Sequence, residues 1–175
     1  MKEKKVINKN KKIFLWGGIS AVLVLGIMIS SAFIVPMLSA RSEFKKQISV
    51  FEEFSDGDIV QVFCPMYRDG DFYGDITAEV SLDDAEEIVA NVIRFSENAK
   101  YSSTDNSVYG NWDICVVLYK TDGRTKRVYF TEEELYVTKD TDQYRFEVDK
   151  EKSEDYAAFL ADLRSRIEEA REAES

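Results

Sequence analysis

Hydrophobic positions divide this chain into one long apolar block and a series of short periodic ones. Residues 13–35, IFLWGGISAVLVLGIMISSAFIV, run for 23 positions without a charge. At 1.5 Å per residue that is roughly 34 Å of helix, enough to cross a bilayer core of about 30 Å. In SEFKKQISVFEEF, residues 42–54, Phe44, Ile48 and Phe51 fall at i, i+4 and i+7 on one helical face. That segment reads either as a stalk helix leaving the membrane or as the first helix of a domain. Ser55-Asp56-Gly57-Asp58 then breaks it.

Beyond the break the period shortens to two. IVQVFCPMY, residues 59–67, is apolar at alternate and adjacent positions and predicts a strand covered on both faces. DITAEV, residues 75–80, alternates with Ile76, Ala78 and Val80 on one face. Helical spacing returns in SLDDAEEIVANVIRF, residues 81–95. There Ser81 and Asp84 resemble a capping box, acids crowd the first turn, and Ala85, Ile88, Val89 and Val92 form the apolar stripe. Residues 98–111 read as a polar loop. WDICVVLYKTDGRTKRVYF, residues 112–130, predicts a hairpin. With Asp122-Gly123 at the centre of a type I′ turn, Val117 stands opposite Val128 and Cys115 opposite Phe130. ELYVT and QYRFEV add two short strands about KDTD. From about Ser153 the residues Tyr156, Phe159, Leu160, Leu163 and Ile167 recur at helical spacing. The expected order is anchor, stalk helix and then ββαββββα, an α+β fold with helices packed on an antiparallel sheet. The expected map is a basic cytoplasmic tail 1–12, a transmembrane helix 13–35, a juxtamembrane stalk 36–57 and an extracytoplasmic domain 58–175.

Charge gives the anchor a direction. Residues 1–12 carry six lysines and one glutamate, whereas only Arg41, Lys45 and Lys46 follow the apolar block closely, so the amino terminus is expected in the cytoplasm. Trp16 sits at the lysine-rich end, where an indole suits the head-group region. Ser30-Ser31-Ala32 resembles a cleavage site, but the apolar run continues through Phe33, Ile34 and Val35 and is longer than a signal core, which favours an anchor. After residue 40 the chain holds 17 basic and 32 acidic side chains, a net of −15. Such a surface repels phosphate backbones, so nucleic acid is not an expected partner.

Little of the sequence points to catalysis. Histidine is absent, which excludes Ser-His-Asp and Cys-His nucleophile arrangements and His-containing zinc sites. YRDGDFYGD, residues 67–75, invites comparison with a calcium loop. Counted from Asp69, however, position 5 is Tyr73 and position 12 is Val80, where a bidentate glutamate is required. Counted from Asp140, Arg145 replaces the essential glycine. A two-residue hairpin centred on Asp69-Gly70 fits better. It sets Arg68 opposite Asp71, Tyr67 opposite Phe72, Phe63 opposite Ile76 and Ile59 opposite Val80, with Pro65 facing Gly74 as the place where a bulge would shift the pairing. Asp71, Asp75 and Asp113 are the acids embedded in aromatic sequence, the candidates for a carboxyl of raised pKa. KTDGRTKR gathers Lys120, Arg124, Lys126 and Arg127 at one hairpin tip. They form either a contact for an anionic polymer, lipid head group or acidic partner, or a guard against edge pairing. Tyr101 and Tyr109 in the 98–111 loop either suit recognition or pin the connection to the domain. Cys64 and Cys115 are the only cysteines and form either one disulfide or two buried thiols.

The capped helix SLDDAEEIVANVIRF, the hairpin VVLYKTDGRTKRVYF and the closing amphipathic helix together resemble the small extracytoplasmic domains of unknown function found behind amino-terminal anchors in Gram-positive bacteria. The resemblance covers roughly residues 58–170, rests on structural motifs and implies an envelope location without catalytic residues. The expected protein is therefore non-enzymatic. It is anchored through residues 13–35 and needs no cofactor, and its acidic domain binds or scaffolds an envelope protein or polymer. The alternatives are a carboxylate-dependent hydrolase of envelope material and a weak calcium-binding domain.

Overall fold

The computed structural model describes residues 3–68, 71–105 and 112–173, with side chains from Val24 onward except at 66–68, 71–73 and Glu79. The chain divides into two compact units between Ser39 and Ala40. The first belongs to the helix α1 (Glu3–Glu52). Its large apolar side chains from Val24 to Leu38 are exposed, Phe33 at 74 %. By length and composition this helix is apolar enough to cross a membrane. Pro36 lies inside it and, lacking an N–H, leaves the carbonyl four residues earlier without its helical donor.

The second unit opens with the last turns of α1. Phe44, Ile48 and Phe51 are 4 %, 4 % and 0 % exposed and belong to the core, and the Phe44 ring stacks on Phe146 with centroids 4.0 Å apart. Full burial of such a side chain contributes about 1.5–3 kcal/mol, so this amphipathic stripe makes residues 42–52 the first helix of the domain. The unit thus starts at Ala40 rather than at residue 58, and only the beginning of the expected stalk lies outside it.

The elements that follow are β1 (Ile59–Arg68), β2 (Asp71–Glu79), α2 (Leu82–Ser96), β3 (Lys100–Asp105), β4 (Ile114–Tyr119), β5 (Thr125–Phe130), β6 (Glu134–Lys139) and β7 (Asp142–Glu147). A 3₁₀ turn at Lys150–Lys152 then leads into α3 (Ser153–Ala173). The fold is α+β. Its seven strands form one antiparallel sheet in the order β2-β1-β4-β5-β6-β7-β3, and α2 carries the chain from one edge to the other. Ser81 caps α2, accepting from the Asp84 backbone N–H and donating its hydroxyl to the Asp84 carboxylate at 2.7 Å. The expected stripe is buried and extends to Phe95. In α3 all five expected apolar positions are buried. One face of the sheet, including Val62, Val116, Phe130 and Val137, closes against these helices, with Phe95, Tyr156 and Phe159 at the centre.

Three details differ from the sequence reading. Part of the expected 98–111 loop is the edge strand β3. Its Ser-Ser-Thr run shows no apolar alternation and reads as a turn, but its backbone pairs with β7 around a bulge between Tyr101 and Ser103. The order is therefore ββαβββββα. In the β1–β2 hairpin Arg68 faces Asp71 and Tyr67 faces Phe72 as expected, while the turn at Asp69-Gly70 lies outside the described residues. A bulge beyond Tyr67 then sets Met66 opposite Gly74 and Phe63 opposite Thr77 instead of Ile76. The β4–β5 register is one residue from the expected one: Val117 faces Arg127, Val116 faces Val128 and Cys115 faces Tyr129. The cause is the loop. Lys120 and Arg124 close it through a backbone bond of 2.8 Å, and three residues, not two, form the connection, the last being Gly123 at φ 87°.

Candidate functional site

The hairpin tip expected as a basic contact patch is tied to its own domain. Asp58, with a fully buried side chain, accepts from the Ser55 and Thr121 backbone N–H groups at 2.9 Å each and from Lys120 Nζ at 2.8 Å. Lys120, only 7 % exposed, also donates to the Glu53 carbonyl. Arg124 holds Glu53 and Asp122, each at 2.8 Å, and Lys126 donates to Gln47 Oε1 at 2.8 Å. These three cations fasten the hairpin to the end of α1 and the turn after it. Arg127 points to the opposite side of the sheet, because the register shift places it beside Val117. The four residues thus do not form one cluster.

The two tyrosines and the two cysteines also separate. Tyr101 lies in β3, packs edge-on against Phe146 at 5.7 Å and shares a 3.0 Å hydrogen bond with Thr104. It braces an edge strand rather than crowning a recognition loop. Tyr109 lies outside the described residues. Both cysteines are free thiols. Phe63 and Cys115 are direct cross-strand partners and share a face, so Cys64, the next residue of β1, projects from the other face. Cys64 packs on the helix side and Cys115 on the other, which excludes a bond between them at this register.

The side of the sheet opposite the helices carries a feature that the sequence analysis missed. The pairings place Thr77, Phe63, Cys115, Tyr129, Tyr136, Arg145 and Ser103 in a single row across all seven strands. Tyr129 and Tyr136 are stacked at 4.9 Å and 11°, and the Arg145 guanidinium lies 4.6 Å from the Tyr136 ring centre. Arg145 is steadied by Gln143 Oε1 at 2.9 Å and Glu134 at 3.3 Å. At the other end of the stack Trp112 meets Tyr129 at 5.5 Å and 59°, making a corner.

That corner borders a recess of about 80 Å³. Phe63, Trp112 and Tyr129 supply its aromatic walls, and Cys115 and Val117, both nearly inaccessible, supply its floor. Asp75 and Arg127 line it as well, both exposed, and Arg127 interacts electrostatically with the Tyr129 phenol. Burial raises the Tyr129 phenol and pushes the Cys115 thiol far above its ordinary range, so the floor is a neutral thiol with no thiolate character.

Among the described carboxyls four are displaced, all downward: Glu43 by the Gln47 amide, Asp84 by the Ser81 hydroxyl, Asp122 by the Arg124 backbone N–H, and Asp58. Burial would raise Asp58, but the donors around it outweigh that cost. A general acid needs the opposite displacement. Of the acids embedded in aromatic sequence, Asp71 has no described side chain, Asp113 pairs with Arg164 at 3.6 Å, and Asp75 lines the recess. Among the described residues no group of three or more acids or cysteines converges to hold a metal ion. Two larger clefts are mixed in charge. One of about 450 Å³ lies between α1 and the end of α2, and one of about 330 Å³ lies beside Tyr156, whose hydroxyl is shared between the Thr131 and Glu134 carbonyls. No protein-family model matches the chain, and no curated protein or solved structure is similar to it.

Proposed function

We propose that this chain is a single-pass membrane protein, amino terminus in the cytoplasm, whose domain from Ala40 onward is a non-enzymatic binding or scaffolding module outside. The observation that carries the binding role is the aromatic row on the face opposite the helices. The helix side and the hairpin tip already spend their apolar and charged groups inside the domain. The aromatic row instead presents Trp112 and Tyr129 half-buried beside two exposed charges. Large, stiff, amphipathic side chains of this kind are the usual anchors of protein contacts. The excess of six lysines before the apolar helix over Arg41, Lys45 and Lys46 closely after it supports the orientation. The likeness to small anchored extracytoplasmic domains supports the setting, in which an envelope polymer or protein is the partner.

In cells stripped of their wall, protease added from outside is expected to digest the domain of the full chain and spare the lysine tail. A domain digested only after the membrane is opened overturns the orientation. In the same membranes, Trp112→Ala is expected to lower cross-linking to envelope material several-fold. Equal yield from both proteins overturns the assignment of the face.

A further inference from the structure

We propose that the recess beside Trp112 and Tyr129 is a binding site for a neutral saccharide, seated with one ring edge in the recess and its C–H face on the indole. This deepens the reading of the face as a contact surface and rests on it. The recess, about 80 Å³, is far smaller than the roughly 300–1,000 Å³ of a pocket that encloses a whole ligand. It therefore accepts an edge or a substituent of something larger that lies across the aromatic corner. Aromatic faces carry negative charge density and attract the positive edges of C–H bonds, which a pyranose presents as a patch on one side of its ring.

The two charges define the rest of the ligand. Arg94, Arg124, Arg145, Arg164, Arg166 and Arg171 each hold a carboxylate. Arg127 and Asp75 line the same recess, yet among the described residues neither forms an ion pair, with the other or with any third group. A guanidinium only donates and a carboxylate only accepts. The pairings set Asp75 level with Pro65 and Arg127 level with Gln61, four residues apart along β1, so a ligand that spans the recess must accept at one end and donate at the other, and hydroxyls do both. A net anion would meet Asp75 and the acidity of the whole domain, and a net cation would meet Arg127. A neutral polyhydroxylated ring meets neither penalty and uses both partners.

The chain has only two tryptophans, so Trp16→Phe makes Trp112 the sole indole reporter in the full chain. In detergent, a neutral N-acetylglucosamine tetrasaccharide or cellotetraose is expected to change its fluorescence saturably. Calorimetry on the unaltered chain is expected to give the same affinity. Asp75→Asn and Arg127→Gln, both at exposed positions, are each expected to weaken binding about tenfold or more through loss of a charged hydrogen-bonding partner, with unchanged melting temperature. Lys150→Gln, remote from the recess, is expected to bind like the parent. No saturable response to either sugar, equal affinity in the two charge variants, or saturation instead by phosphocholine or by a charged peptide overturns the proposal. If sugars fail while cross-linking still depends on Trp112, the face is a contact surface for something else and only the saccharide assignment falls.

Discussion

Asp58 carries more of this fold than its place in a four-residue chain break announces. It accepts two backbone N–H bonds and a lysine that lies 62 residues further along the chain. Removing one partner of a buried ion pair costs about 3–5 kcal/mol, because the other is left charged and dry. Asp58→Ala is therefore expected to lose a stability of that size in chemical denaturation, with Lys120→Met costing less because Asp58 keeps its backbone donors. The pH dependence follows from the depressed carboxyl. Its contribution is complete above the ordinary carboxylate range near pH 4 and is lost as pH falls below that range toward the lowered native value. Asp58→Asn should flatten the acid limb of the stability profile, and an unchanged limb would refute the role. The sequence showed a breaker at residues 55–58 and basic residues at a tip, each visible locally. That one closes on the other is a long-range fact without a local pattern. The same limit hid the recess, whose Asp75, Trp112 and Arg127 come from three parts of the chain.

At the scale of elements, legibility followed periodicity. The helices α2 and α3 are long enough for their stripes to be read, and the expected residues are buried in both, joined in α2 by Phe95. Strand β3 has no stripe, because as an edge it gains its place through backbone bonds. The β4–β5 hairpin was recognised from Asp-Gly, but two- and three-residue loops share that signature, and one residue of slip exchanges the two faces. Arg127 was consequently grouped with the tip when it belongs to the aromatic side. The loop itself makes a graded prediction. Gly123 has φ 87° with no atom near its absent side chain, so Gly123→Ala should cost about 1–2 kcal/mol from backbone strain alone. Gly57 shares the same conformation, and a Cβ there would lie 3.3 Å from Thr121 Cγ2. Gly57→Ala should cost more than Gly123→Ala by urea denaturation, and the reverse order would contradict the packing of the turn against the hairpin.

For the molecule as a whole, the apolar block, the order of the periodic segments and the charge count revealed the membrane-length helix, the α+β class and the acidity, since each is spread over many residues. Cysteine pairing was beyond reach, because it depends on which face each thiol occupies. With the two thiols on opposite sides of the sheet, the unfolded chain without reductant is expected to titrate two free thiols. Its migration on non-reducing electrophoresis should match that of Cys64→Ser. A mass two units lower, from a closed bridge, would require a different β1–β4 register.

The strand order also bears on how the domain comes together. Its two outermost strands, β2 and β3, are consecutive in the chain and joined only by α2. The hairpin β1–β2 and the meander β4–β7 each close through short turns and can form early. The seam between β1 and β4, and the docking of β3 on β7, must each wait for a long intervening stretch to be gathered, at the entropic cost of a large loop. The sheet is thus two prefabricated pieces with one late joint between them and β3 added late at the far edge, and α2 is the strap drawn across it. The recess lies on that joint, between Phe63 on one piece and Tyr129 on the other, so a ligand held there would clamp together the parts that meet last.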